Sequence, residues 1–160
     1  MATITDSIGF NKGTVPATAL PAGDALWKSV RMELVIDFPK IIAARAAAGV
    51  AALTATDVIE SIPIPPMTLV RSVGLEVVTV AASGTIALGD GTAAAGFLAA
   101  QTLAALGIFG GIPVLAAGAF APTLSGGKLY SVADTLDITL ATAVPALAVV
   151  RLFAEFVDLS

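Results

Sequence analysis

Val30-Arg31-Met32-Glu33-Leu34-Val35-Ile36-Asp37-Phe38 decides the fold: Val30, Met32, Leu34, Ile36 and Phe38 alternate with Arg31, Glu33, Val35 and Asp37. Successive side chains of a strand point to opposite faces, so a period of two over nine residues predicts a strand with one dry and one wet side. Pro39 ends it. The following residues 40–48, Ala-rich with Ile41 and Ile42, fit a short helical segment before Gly49. So short a helix is marginal alone and needs tertiary packing to hold it.

Downstream the same alternation returns in pieces. Residues 57–64 read as a strand with Val58, Glu60, Ile62 and Ile64 on one side and Ile59 and Ser61 on the other. Pro63, Pro65 and Pro66 interrupt ladder bonding, so this strand lies at an edge or ends in a loop. Residues 67–80 form a further extended stretch, with a bulge or bend expected at residues 72–74, and residues 85–88 resume the pattern before Gly89-Asp90-Gly91, a tight turn. Near the end, residues 128–131 and 135–141 are strands, with Leu136, Ile138 and Leu140 opposite Asp137 and Thr139. Pro145 marks a turn. In the last strand, residues 148–159, Val150, Leu152, Ala154 and Phe156 alternate with Arg151, Phe153, Glu155 and Val157. About seven short strands separated by turn signals imply an all-β antiparallel sandwich or barrel. No stretch repeats at a fixed period, so a solenoid is not supported.

Two regions stand outside this pattern. Residues 1–29 mix Thr, Gly, Pro and Ala without a period and read as an extended N-terminal arm, leaving residues 30–160 as the β-sandwich domain. Residues 1–10 show no basic segment followed by an apolar core, so no secretory signal is expected. Residues 91–127 contain no charged side chain in thirty-seven positions. Such a run has to be kept from water by a bilayer, by its own domain or by a neighbouring subunit. A bilayer span needs about 20 apolar residues rich in Leu, Ile, Phe and Val. This run is Ala- and Gly-rich, is broken by Gly107, Gly110, Gly111, Pro113, Gly118 and Pro122, and has no flanking basic cluster. We therefore read it as a long apolar loop insertion at one end of the sandwich, kept dry by neighbouring copies, and expect no membrane partner.

Composition points to association. The chain of 160 residues is 57% hydrophobic and 12% charged, against a usual charged share of about 25%. Large uncovered apolar surface marks association sites, so a homo-oligomer or a partner is expected. There is no Cys and no His, which excludes disulfides, thiolate nucleophiles, zinc sites of the Cys/His kind and histidine triads. The net charge is −4 and the eight Lys and Arg are scattered, so no nucleic-acid partner is expected.

The carboxylates offer little chemistry. Gly89-Asp90-Gly91 has too few ligands for calcium and lacks the phosphate-loop pattern. Asp134 with Asp137, and Asp57 with Glu60, are spaced as paired acids, but no aromatic residue lies near them to bind a sugar. The sequence yields no catalytic, cofactor-binding or metal-ligating residues, and we expect no enzyme. The candidates are interface residues. Trp27, the only Trp, would anchor the arm on its own domain or a neighbour, or cap one end of the core. Phe97, Phe109 and Phe120 are the bulky residues of the uncharged run and fit either a subunit contact or the core. Phe153 and Val157 lie on the otherwise charged face of the last strand, as though that face too were covered.

The order of these pieces carries a resemblance. Val35-Ile36-Asp37-Phe38 leads to Ile62-Pro63-Ile64-Pro65-Pro66-Met67-Thr68-Leu69-Val70, then Val73-Gly74-Leu75-Glu76-Val77 and Thr85-Ile86-Ala87-Leu88-Gly89-Asp90-Gly91, with Phe97 following. Tyr130-Ser131-Val132-Ala133-Asp134-Thr135-Leu136-Asp137-Ile138-Thr139-Leu140 and the terminal strand complete the set. This resembles small virion structural proteins of tailed bacteriophages that decorate or cement the head, over roughly residues 30–159. The resemblance implies a jelly-roll-like fold and capsid stabilisation without catalytic residues. It also implies the major capsid protein as partner, a homotrimer as the favoured oligomer, and a place on the capsid exterior after synthesis in the host cytoplasm. After Phe97 this chain departs from the shorter, more polar connection of that family. A β-sandwich module of a phage fibre or tail, binding a receptor or glycan, is the alternative, and the single Tyr and single Trp argue against it.

Overall fold

The computed structural model describes residues 3–4, 29–110 and 127–159. Among them lie β1 (Thr3–Ile4), β2 (Ser29–Asp37), α1 (Phe38–Ala47), β3 (Val58–Ile64), β4 (Thr68–Thr79), β5 (Thr85–Gly89), β6 (Leu98–Thr102), β7 (Gly107–Gly110), β8 (Lys128–Tyr130), β9 (Asp134–Leu140) and β10 (Val149–Asp158). One sheet has the order β1-β3-β9-β5-β6, and the other runs β2-β10-β4-β7 with β8 also paired to β4. All pairings are antiparallel except that of β1 with β3. The architecture is the all-β sandwich expected, and β5–β6 is the hairpin within the first sheet.

The opening alternation does what its period dictates. Met32 and Ile36 of β2 are buried, and Val30 and Leu34 pack against the same core. Val150, Leu152, Ala154 and Phe156 of β10 are fully enclosed. β10 lies between β2 and β4, so its inner row forms the centre of one layer. Leu136, Ile138 and Leu140 of β9 form the centre of the other. At the end of β2, Asp37 caps α1 by accepting from the Lys40 amide at 3.1 Å, with Pro39 in the first turn. The missing N–H of a proline costs nothing there. Phe38 and Ile41 anchor the helix in the core. At its other end the Arg45 guanidinium donates twice to the Ala51 carbonyl, at 3.0 and 2.6 Å, closing the turn after Gly49.

Two strands keep their place and carry bulges, and in β3 the bulge changes the expected parity. In β3 the inward residues are Ile59, Ile62 and Ile64, because the pairing with β9 slips between Glu60 and Ile62. The extra residue of a bulge turns every later side chain to the other face. The Ser61 hydroxyl donates to the Leu136 carbonyl at 2.6 Å across it. In β4 one bulge lies at Arg71, where pairing passes from Val70–Phe156 to Ser72–Glu155, one residue before the expected interruption, and a second lies at Val78, between Val77–Val150 and Thr79–Val149. Val70 and then Val73, Leu75 and Val77 consequently share the core face.

The uncharged run is where the reading needs most correction. Its first part is not loop: β6 pairs with β5 and β7 pairs with β4, so residues 91–110 add a strand to each sheet. β7 and β8 lie along the same side of β4, opposite Gly74–Val77 and Thr68–Val70 respectively. They form one edge that the chain leaves at Gly110 and rejoins at Gly127. Both are at positive φ, +78° and +110°. A Cβ on either would come within 2.6 Å of a β4 carbonyl. Residues 111–126 lie outside the described residues.

Candidate interaction surface

The two charges that bound the uncharged run meet. Asp90 follows β5 in one sheet and is buried; Lys128 and Tyr130 belong to β8 in the other. The Lys128 ammonium pairs with the Asp90 carboxylate, and the Tyr130 hydroxyl donates to the same oxygen at 2.5 Å. The second oxygen accepts from the Thr92 amide at 2.9 Å, the Thr92 hydroxyl at 2.7 Å and the Ala93 amide at 2.9 Å. The expected turn is present, closed by Asp90–Ala93 backbone bonds. Neither Gly89 nor Gly91 has a positive φ, so a different constraint selects Gly89. The backbone of Ala93 and Ala94 lies directly on it, and a Cβ would sit 1.9 Å from the Ala93 carbonyl oxygen.

Beside this lock stands Asp137, buried although its strand was read as having a wet face. Gly89 and Glu60 are its cross-strand neighbours. Burial pushes its carboxyl up to about 6, against the Thr135 hydroxyl that donates to it at 2.6 Å, and repulsion from Glu60, Asp134 and Asp90 adds to the rise. A folded-state value above the ordinary 3.8 means that ionisation is costlier in the native chain than in the unfolded one. Native stability therefore falls as pH rises through about 4 to 6. Asp137→Asn should raise unfolding free energy at pH 7.5 by about 1–3 kcal/mol and lose that advantage below pH 4. Urea unfolding at the two pH values measures it, and equal stability of both proteins at pH 7.5 would overturn the assignment. Of the other paired acids, Asp57 accepts from the Thr54 amide at 2.8 Å and Asp134 from the Thr135 amide at 2.8 Å. Among the described residues no group of acids is arranged to hold a metal ion, and no helix is long and apolar enough to cross a membrane.

The outer face of the β2-β10-β4-β7 sheet is built around Phe153. Its ring lies over Gly74, the cross-strand neighbour on β4, where an added Cβ would come within 2.2 Å of it. The Arg31 guanidinium of β2 stacks on the ring at 4.8 Å from its centre and pairs with Glu33 at 2.9 Å. Arg151 pairs with Glu76 at 3.1 Å on the same face. Ser29, Arg31, Ser72, Phe153 and Glu155 line a shallow groove of about 220 Å³. Phe153 is thus half-buried and partnered on both sides.

The remaining candidates separate. Phe97 is enclosed in the core, its amide donating to the Leu88 carbonyl at 3.0 Å. Val157 is buried as well. Their apolar surface is covered by their own chain, which is the core alternative for Phe97 and a cover over the face that carries Val157. Phe109 pairs with Leu75 on the inward side of β7 and packs partly against the core. Trp27 and Phe120 lie outside the described residues. Sequence reasoning missed the residues that do present apolar surface. Leu106 and Ile108 are 69% and 67% exposed, and Val78 and Val80 at the end of β4 are also open. Val77 pairs with Gly107 and Thr79 with Val149, so exposed Leu147 joins them at one end of the sandwich. Met67 and Leu129 are exposed toward the other end, beside the β10 terminus. Alternation could have flagged Ile108 only if the strand had been recognised inside the uncharged run.

Neither a protein-family model nor a curated protein sequence matches the chain. Among solved structures it is similar to a chain of the capsid of Ralstonia phage GP4, with a TM-score of 0.60 and 15% identity over 99% of both chains. A chain of the Cyanophage Pam1 capsid asymmetric unit aligns with a TM-score of 0.49 and 14% identity, over 92% of this chain and 99% of that one. The GP4 likeness is one of fold, and it runs essentially end to end.

Proposed function

From the fold shared with a phage capsid chain, we propose that this protein is a structural component of a tailed-bacteriophage head. In this reading it decorates or cements the shell through apolar, multivalent contacts with the major capsid protein and with its own copies. The observation that carries the reading is the end-to-end likeness to a GP4 capsid chain, which agrees with the ordered set of segments that resembles head-decoration proteins. Two features of the molecule support it. The ends of the sandwich expose apolar side chains, and Asp57, Asp134 and Asp137 are hydrogen-bonded within the fold. Affinity of this kind comes from modest contacts repeated over a lattice, so it needs no cofactor and no reactive residue. A trimer on the outside of the shell is the favoured arrangement, since a closed ring shares an apolar seam among copies.

Purified protein should co-sediment with capsids that lack it. Ile108→Lys is the discriminating variant, because the side chain points outward from β7 beside Glu76, whose charge it complements, and leaves the core untouched. It should weaken capsid binding at least tenfold, amplified by multivalency, while unfolding free energy changes by no more than about 0.5 kcal/mol. Undiminished binding would remove this end of the sandwich as the docking surface. Failure of the native protein to bind any capsid would remove the reading itself.

A further inference from the structure

We infer that the outer edge of β2 is a self-association edge: it pairs with β2 of a second copy, antiparallel, about a two-fold axis at Met32. The outer strands of the two sheets differ in what they offer. β1, β6 and β7 have two, five and four residues, whereas β2 has nine. It contains no proline, and its pairing with β10 runs without a bulge from Ser29 to Asp37. Among the described residues nothing pairs with its other side. A long regular strand with one side unpaired is a template for another strand, and short strands, bulges and prolines are what normally blunt it. The edge also leaves its own core incompletely covered. Val30 and Leu34 of the inner row are only half-buried, while Val150, Leu152, Ala154 and Phe156 on the adjacent β10 are fully enclosed.

Backbone and charges together select the register. The Phe38 amide donates to the Ala148 carbonyl at 3.1 Å, and Asp37 stands opposite Val149. Bonding alternates along an antiparallel ladder. Val30, Met32, Leu34 and Ile36 therefore bond to β10, while Ser29, Arg31, Glu33 and Val35 turn their N–H and C=O outward. A second β2 has to match outward residues with outward residues. Centring the two-fold on Arg31 sets Arg31 against Arg31, and centring it on Glu33 sets Glu33 against Glu33. Centring it on Met32 sets Arg31 of each copy against Glu33 of the other, and Ser29 against Val35, which is 51% exposed. Opposite charges directly across a ladder attract and like charges repel. Centring on Leu34 would need Asp37, which is committed to Lys40 and to the cap of α1. In the Met32 register the outward residues from Ser29 to Val35 all find partners, and Val30 of each copy covers Leu34 of the other. An isologous contact of this kind closes on itself as a pair. It lies on the edge of the sheet opposite β7, so exposed Leu106 and Ile108 remain open to a shell or a ring.

Charge reversal tests the register. Native protein should sediment as a species with an even number of copies, a dimer where no other contact forms. Arg31→Glu gives an edge with two acids and Glu33→Arg one with two bases, so each alone should show half the native mass. Mixing them in equal amounts should restore it, because acids then face bases at both positions. Restoration also shows that both variants fold. Val35→Pro removes an outward N–H and no bond to β10, and it should halve the mass as well. A native monomer or any odd number of copies would overturn the proposal. So would variants that keep the full native mass, or a mixture that stays at half of it. No capsid takes part, so the result is independent of the proposed role on a shell.

Discussion

Asp90→Ala should destabilise the protein by about 3 kcal/mol, because it removes several charge-assisted hydrogen bonds at once. One carboxylate here holds together parts of both sheets: Lys128 and Tyr130 of β8 on one side, Thr92 and Ala93 of its own turn on the other. Removing it leaves the buried Tyr130 hydroxyl without its acceptor and takes the carboxylate from the Lys128 ammonium, which keeps the Thr92 hydroxyl and the Tyr130 ring beside it. The pH dependence identifies the cause. Burial raises the Asp90 carboxyl, but hydrogen bonds from Lys128, Tyr130 and Thr92 outweigh it and hold the group at about 2. A depressed value stabilises the fold above the ordinary carboxylate range, and the contribution is lost as pH falls from about 4 toward 2. The difference in unfolding free energy between native protein and variant should be full at pH 7 and shrink by about 2 kcal/mol by pH 2. A constant difference down to pH 2 would mean that the carboxylate charge is not what stabilises the lock. Together with Asp137, whose contribution has the opposite sign and declines from about pH 4 to 6, these two groups alone place maximum stability near pH 4.

Gly89→Ala should cost about 3 kcal/mol or more, the range of severe steric substitutions. The atoms a methyl group would meet are all backbone: the Ala93 oxygen at 1.9 Å, the Ala94 carbonyl carbon at 2.5 Å and its oxygen at 2.7 Å. That segment has no room to retreat. Asp90 and Ala93 bond each other's main chain, and Phe97, buried in the core, ties the far end of the loop to Leu88. The comparison is Gly49→Ala, where nothing lies within 4 Å and only the positive φ of +66° is strained. That change should cost about 1 kcal/mol. Thermal unfolding of the two variants ranks them, and a Gly89→Ala protein as stable as Gly49→Ala would show that the 90–97 loop does not sit on β5.

Much of the layer structure was readable because it is local. β2, β9 and β10 announce themselves through a period of two, and their inner rows are the residues that pattern selects. The failures share one physical origin. In β3 an unexpected bulge adds one residue, and in β4 the expected bulge falls one residue early; what sets both positions is the pairing with β9 and β10, which no window of the strand itself contains. Asp137 was read as solvated because β9 alternates, yet the Ala93–Ala94 backbone covers the neighbouring Gly89 on β5. The candidate site fared similarly. Asp90 and Lys128 bound the uncharged run with opposite signs, and Tyr130 is the only Tyr. That signal was present, but nothing local says that residues 38 and 40 positions apart touch.

Sequence alone determined that this chain is a β-sandwich with no thiol or imidazole chemistry and more apolar surface than a solitary domain needs. Periodicity, prolines and composition suffice for that, since each acts through neighbours along the chain. Tertiary structure decided which apolar residues stay uncovered. It placed Phe97 and Val157 inside and left Leu106 and Ile108 outside, and it divided residues 91–110 between the two sheets. Exposure is a property of what packs above a residue, and in a sandwich whose strands keep crossing between layers, what packs above comes from distant parts of the chain.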